Sequence, residues 1–354
     1  MPSQQISTTA ASQADANFSS PLRAARPQSF WGRLVGLPYL LWGVMSILIG
    51  ALIAGLNPIL VVVALILPGQ RGSKLFFEIN LLSAIFLFIG GALAIAELAL
   101  FLPLKRRTRH VRLDKIDNKS VTVVLTAWND EESIGLAVQD FASHPLVRRV
   151  VVVENDSSDG TAAVARKRGA DVIKETRRGY GQCVYRALQE GSAFEDTQLT
   201  VLCEGDMTFR SFDLDKLIAF VPHADIVNGT RIVEQLRSRD TQLTTFMYYG
   251  NFFTAKLLEA KHIGHGTFTD VGTTYKLCRN TALRTLLPLL NPGINLEFNA
   301  HFMDTVLRYN LGLVECPISF HERVGASKGG NKNNLKALAV GLRMIKGIAF
   351  GWKR

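Results

Sequence analysis

The chain has 354 residues, 47% of them hydrophobic, and a formal net charge of +10. That length holds one large α/β domain with something attached to it. The four cysteines, Cys183, Cys203, Cys278 and Cys316, are far apart with no C-x-x-C pair, which excludes a disulfide framework and fits a reducing compartment. The basic excess has a location. Lys105, Arg106, Arg107, Arg109, Arg112 and Lys115 crowd just after an apolar run, the pattern of a juxtamembrane segment facing an anionic cytoplasmic leaflet. No nucleic-acid motif accompanies it, so no nucleic-acid partner is expected.

In chain order, residues 1–33 read as a disordered cytoplasmic tail rich in Ser, Gln, Ala and Thr. Residues 34–104 read as a transmembrane hairpin, with spans at about 38–67 and 79–104, each longer than the roughly 20 residues that cross a bilayer. Arg71, Lys74 and Glu78 fall in the polar loop between them. Basic residues at both ends of the hairpin put the remainder of the chain on the cytoplasmic side. Asn57-Pro58 marks a kink or splits the first span, and Glu97 is the one charge in the second. Residues 105–119 form the basic linker. From Val121 the pattern changes to short β-branched runs alternating with amphipathic stretches. Strands are predicted at 121–126, 149–154, 171–174, 199–204 and 225–229, and helices at about 131–141, 160–168, 181–191 and 214–220. This alternation predicts a mostly parallel, doubly wound, Rossmann-like sheet over 120–330, whose ligands bind beyond the carboxyl ends of the strands.

Polar clusters fall at that edge: Trp128 to Glu131, Glu154 to Asp159, and Glu204-Gly205-Asp206. Two carboxylates one residue apart at the end of a buried strand need a positive partner, and a divalent cation carrying a diphosphate is a natural one. Residues 331–354 carry an apolar stripe flanked by lysines and arginines, ending near Trp352. They suit an amphipathic helix on a membrane surface, with a core-packed terminal helix as the alternative. His262 and His265 have metal-like spacing but no evident carboxylate or cysteine partner. Arg177-Arg178 could touch a phosphate or form a solvated turn.

In order and spacing, VVLTAWNDEESI, VVVENDSSDGT, RRGYGQCVYRAL, CEGDM, ADIVNGTR, TDVGTTYKLCR, LEFNAHF and VECPISFHERVGASKGG resemble the motifs of family 2 glycosyltransferases of GT-A fold. The branch they resemble most is that of the dolichyl-phosphate mannose synthases, which make polyprenyl-phosphate sugars. The resemblance implies an inverting, metal-dependent transfer from a nucleotide sugar (GDP- or UDP-linked) to a polyprenyl phosphate. Position by position, it implies that Ala127, Trp128, Asp130, Glu154, Asp156 and Arg231 bind the donor. Glu204 and Asp206 would hold Mg²⁺ or Mn²⁺. Arg323, Ser327 and Lys328 would meet phosphate groups of donor or acceptor, and Asp270 and Glu297 would join Asp206 as catalytic residues facing sugar or acceptor. The chain departs from the family where Glu204 replaces the first Asp of D-x-D, and where Gly272 to Tyr275 replace the usual S-G-F block. A different glycolipid or polysaccharide acceptor, and a non-catalytic membrane scaffold on a degenerate transferase fold, are the alternatives that the residues leave open.

Overall fold

The computed structural model describes residues 30–66, 71–105, 111–325 and 334–352. Most of the expected tail, the arginines at 106, 107 and 109, and Ser327 and Lys328 lie outside the described residues.

After a six-residue helix, Phe30–Val35, the chain forms α1 (Tyr39–Ala54), α2 (Asn57–Ile66) and α3 (Arg71–Ala96). Asn57-Pro58 does split the first apolar run. Pro58 stands in the first turn of α2, where a missing N–H costs nothing. The polar loop foreseen at 71–78 is corrected: these residues open α3, and Lys74 and Glu78 are an i,i+4 pair at 3.9 Å on its surface. Two helical stretches, Tyr39–Val63 and Gly72–Lys105, are long and apolar enough to cross a membrane. The pairing of α1 with α3 rests on small residues. A Cβ on Gly43 would lie 2.8 Å from the Gly90 carbonyl oxygen, and one on Gly90 would lie 2.7 Å from that of Gly43. The Ser83 hydroxyl donates to the Gly50 carbonyl at 2.8 Å and the Ser46 hydroxyl to that of Phe86 at 2.7 Å.

Glu97 opens a π-helical turn, Glu97–Phe101, that continues α3. Its buried carboxylate pairs with Lys105 at 2.8 Å, and Lys105 also donates to the Leu37 carbonyl at 2.6 Å. Glu97 therefore ties the end of the hairpin to its start. Lys105 and Arg112 are thereby removed from the free basic cluster read from sequence, since Arg112 pairs with Asp225 at 2.8 Å.

The remaining chain forms a seven-stranded sheet. Its strands are β1 (Val121–Ala127), β2 (Val147–Glu154), β3 (Asp171–Lys174), β4 (Leu199–Glu204), β5 (Ile226–Thr230), β6 (Lys276–Arg279) and β7 (Leu313–Pro317), in the order β3-β2-β1-β4-β6-β5-β7. Only β6 runs antiparallel to its neighbours. Both faces are covered, which explains the uninterrupted apolar runs of β1 and β4. Helices α4 (Glu131–Ala142), α5 (Thr161–Lys167), α6 (Tyr180–Ala193) and α7 (Leu214–Phe220) match the expected ones within two residues. Strand order reverses between β1 and β4, where Thr126 is in register with Glu204, so this edge is the switch point at which a crevice forms.

Further helices, α8 (Thr245–Lys261), α9 (Asn280–Leu286), α10 (Phe298–Arg308) and α11 (Asn334–Phe350), complete the structure. The hairpin is part of the same body. Leu41 of α1 is fully buried in the core that α8 and α10 share, with Leu40, Val44 and Met45 packed against it. Helix α11 divides its apolar residues. Met344 and Ile348 enter the core, whereas Leu335, Leu342 and Phe350 are exposed. Core packing and an outward apolar face thus coexist on one helix.

The C-terminus is held by Asp304 of α10. Its buried carboxylate accepts from Lys261 at 2.9 Å, from His262 at 2.7 Å and from the Trp352 indole at 2.8 Å. His262 therefore has a carboxylate partner, 42 residues away, that its sequence neighbourhood did not reveal. Burial alone would raise the Asp304 pKa, but the His262 hydrogen bond and the Lys261 charge outweigh it and hold the group at about 2. An unfolded aspartate titrates near ~3.9. The stabilisation is therefore complete above about pH 4 and disappears as pH falls through about 2, a contribution on the order of 2 kcal/mol. Thermal unfolding from pH 5 to pH 2 should show this acid-sensitive component in the wild type and a flatter profile, from a lower starting Tm, in Asp304→Asn.

Candidate active site

Three loops meet at the switch-point edge, and each carries a non-glycine residue in the left-handed region: Asn129 (φ 54°) after β1, Asp156 (φ 56°) after β2 and Met207 (φ 68°) after β4. Such backbone persists where surrounding bonds dictate it. The Asn129 side chain accepts from the Ser158 N–H at 2.7 Å, and its own N–H donates to the Ser157 hydroxyl at 3.1 Å, knitting the first two loops together. The Asn155 amide donates to the carbonyls of Glu175 (3.0 Å) and Arg177 (2.8 Å) and accepts from the Gly179 N–H at 3.0 Å. This fixes the start of α6. There Gly181 is obligatory, since a Cβ would meet the Ile294 carbonyl oxygen at 1.7 Å.

These loops border a cavity of about 1150 Å³ with two unlike halves. The polar half brings together Ala127, Trp128, Asp130, Glu204, Asp206, Arg231 and Arg323, seven of the residues singled out in the sequence. The apolar half is built by Phe246, Met247, Tyr249 and Phe253 of α8 and by Leu338, Val340, Leu342 and Ile345 of α11.

In the polar half, one oxygen of Asp206 accepts from the Thr208 N–H (3.1 Å) and hydroxyl (2.6 Å). The other accepts from Arg323 at 3.0 Å, while the second arm of Arg323 donates to Asp130. Glu204 accepts from the Thr274 hydroxyl at 2.7 Å. Burial first, then the charge of Asp206, pushes the Glu204 carboxyl up to about 7. Arg231 grips Asp270 with two side-chain bonds, of 2.7 and 2.9 Å, and with its backbone N–H at 3.1 Å. Burial would raise the Asp270 pKa, but the charge and bonds of Arg231 bring it below the ordinary carboxylate value. Tyr180, Thr274 and Asn299 form a hydroxyl–amide cluster behind Glu204, with Asn299 donating to the Tyr180 hydroxyl at 2.8 Å.

Several expected site residues have partners within the protein. Asp270 is fully buried and bound by Arg231 and the Gly272 N–H, which holds the arginine in one orientation. Glu297 is bound by Arg343 and fastens α11 to the start of α10. Glu154 turns back onto the Ser157 N–H at 2.7 Å, and Asp156 turns outward to Lys174 at 2.9 Å. The residue between them, Asn155, is the one that reaches the cavity. Arg177 closes on Glu175, and Arg178 lines the cavity. Tyr180, Asn155 and Asn299 were missed as site residues, because no charge or spacing marks them.

The acidic pair fits a divalent cation in chemistry. Glu204 and Asp206 supply hard oxygens one residue apart, and burial followed by the Asp206 charge is what raises the Glu204 carboxyl. No group of three or more ligating side chains exists among the described residues, so part of any coordination shell would come from a substrate diphosphate or water.

Residues 122–286 match the model of the glycosyl transferase family 2 domain. Residues 122–286, which carry Glu204, Asp206 and Arg231, are thus the part of the chain that is similar to a family 2 glycosyl transferase domain. It is 37% identical to an uncharacterised glycosyltransferase of Mycobacterium bovis over 113 residues, 32% of this chain and 49% of that protein. The chain thus spans about half the length of the curated relatives it matches in that group. It is 28% identical over 210 residues, 59% of this chain and 86% of the relative, to the dolichyl-phosphate hexose transferase of Haloferax volcanii. A structure of glucosyl-3-phosphoglycerate synthase from Mycobacterium tuberculosis aligns over 65% of this chain and 79% of that one, at 17% identity and a TM-score of 0.48.

Since breaking a buried ion pair from one side costs about 3–5 kcal/mol, Asp270→Asn should lower Tm markedly. Glu154→Gln, which disturbs one hydrogen bond, should cost only about 1 kcal/mol. Thermal unfolding of the two variants side by side checks this ranking.

Proposed function

We propose that the protein transfers a sugar from a nucleoside-diphosphate donor to a polyprenyl phosphate at the cytoplasmic face of a membrane. The observation that carries this reading is the two-sided cavity. One half holds carboxylates and arginines, the other is apolar helix surface, and the helix pair that forms the apolar half packs against a hairpin apolar enough to span a bilayer. A substrate with a charged head and a long hydrocarbon tail matches both halves. The name of the Haloferax relative supports the same class of acceptor.

In this mechanism the donor diphosphate lies against Glu204 and Asp206. A divalent cation held there by the two carboxylates would offset the charge that develops on the departing nucleoside diphosphate. Arg231, held in one orientation by Asp270, presents a planar donor fork to a phosphate group. Arg323 is the second such fork. The acceptor oxygen is already anionic near neutral pH, so attack on the anomeric carbon needs no strong general base. That agrees with a site whose carboxylates are already engaged by Arg323, Thr274 and Arg231. The sugar–phosphate bond to the donor breaks as the bond to the acceptor oxygen forms, with inversion. Ser327 and Lys328 are proposed to meet phosphate groups from the segment following Arg323. The outward apolar face of α11 is proposed to rest on the membrane surface.

The test incubates detergent-purified protein with a short polyprenyl phosphate, Mn²⁺ or Mg²⁺, and labelled GDP- and UDP-sugars, and follows label into the organic phase. Metal-dependent transfer is expected. Asp206→Ala should reduce it at least about a hundredfold, in line with losing one main electrostatic contributor, and Arg231→Ala by a similar factor. Nucleotide-sugar binding without transfer to any polyprenyl phosphate would turn the reading toward another acceptor.

A further inference from the structure

Arg323 has an unusual position for a residue expected to bind phosphate. At the cavity wall its guanidinium bridges Asp130 and Asp206, which come from loops 193 and 117 residues away. Among the described residues it is the guanidinium that pairs with both Asp130 and Asp206. Its Nε is buried with no hydrogen-bond partner, so the group is not held in its most satisfied arrangement. The backbone beside it is tied to the same loop, with the Val324 N–H donating to the Asp206 carbonyl at 3.0 Å and the His321 N–H to that of Thr208 at 2.9 Å.

Resting on the metal assignment above, we propose that Arg323 is an internal counter-cation. It occupies the charge position at Asp206 until a divalent cation and a diphosphate arrive together, and it then exchanges Asp206 for the diphosphate. The argument is one of charge. Two positive groups cannot both sit against one buried carboxylate without repulsion. A metal alone must therefore displace Arg323 from its partners with nothing to receive it. When a diphosphate is present, the displaced guanidinium gains phosphate oxygens in the geometry it prefers. Metal and donor should then each strengthen the binding of the other, as linkage requires. This disfavours a metal-loaded, donor-free state.

The experiment measures Mn²⁺ affinity by the electron paramagnetic resonance signal of free Mn²⁺, using the detergent-purified full chain, with and without UDP or GDP. Without nucleotide, Arg323→Gln should bind Mn²⁺ about tenfold more tightly than wild type. Arg323→Lys, which keeps the charge but loses the two-armed planar fork, should fall between them. The gain in affinity on adding nucleotide should be smaller in Arg323→Gln than in wild type. Mn²⁺ alone should also raise the Tm of Arg323→Gln by more than that of wild type. If Arg323→Gln does not fold, Arg323→Lys carries the test by itself. Unchanged or weaker donor-free Mn²⁺ binding in the folded variants, with wild type still binding Mn²⁺ in the presence of nucleotide, overturns the exchange and leaves the metal assignment standing. No Mn²⁺ binding to any of the proteins, even with nucleotide, removes the metal assignment and this inference with it.

Discussion

The structure depends on how it handles negative charge at one edge of a buried sheet. Glu204 and Asp206 end a strand that is otherwise apolar, Asp130 follows the neighbouring strand, and Asp270 lies fully buried behind them. Carboxylates at that depth are tolerated only when paired and hydrogen-bonded. Both arginines that meet this demand come from far along the chain: Arg231 from the end of β5 and Arg323 from beyond β7. The second half of the domain must fold onto the first before the acidic edge is neutralised. The chain order of the fold and the electrostatics of the site are therefore the same constraint.

The same reasoning explains why the hairpin is not loosely tethered. Leu41 of α1, buried as completely as any strand residue, fixes the hairpin to the core of α8 and α10, and so fixes it relative to the apolar end of the cavity. The Glu97–Lys105 pair, with Lys105 also bound to the Leu37 carbonyl, closes the other end of the hairpin. A charge inside an apolar span invites a transport or catalytic reading. Here its partner lies eight residues ahead on the same helix, so the charge is paired within the hairpin itself.

Much of this was legible because it is periodic or compositional. The five strands and four helices of the first half follow from alternating β-branched runs and amphipathic stretches. Of the seven cavity residues, Trp128, Asp130, Glu204 and Asp206 fall in polar clusters at strand ends, while Ala127, Arg231 and Arg323 were marked by the family resemblance alone. What stayed hidden depends on long-range pairing. β6 is four residues long and contains Lys276, fully buried with its ammonium on the Thr273 carbonyl, so no apolar pattern announces it. The resemblance picked out Asp270 as a carboxylate but could not show the arginine 39 residues away that binds it. The pairing of Glu297 with Arg343 was hidden in the same way. Asn155 was overshadowed by the acids on either side, although an amide, which donates and accepts at once, is what the loop needs to bind two carbonyls and an N–H.

The pairing of Asp270 with Arg231 bears on the chemistry as well as the fold. A transferase acting on a neutral sugar hydroxyl needs a carboxylate or imidazole poised to take a proton. Here the side chain that best resembled such a base is committed to holding an arginine, and Asp130 and Asp206 are committed to another. Glu204 carries the raised pKa, but the Thr274 hydroxyl donates to it and it lies beside Asp206, the place where the proposed function puts a cation and a diphosphate. In that reading the site is richer in groups suited to phosphate than in groups free to remove protons. That balance favours an acceptor that arrives already ionised, and it makes the arginines, more than any single acid, the residues on which turnover should turn.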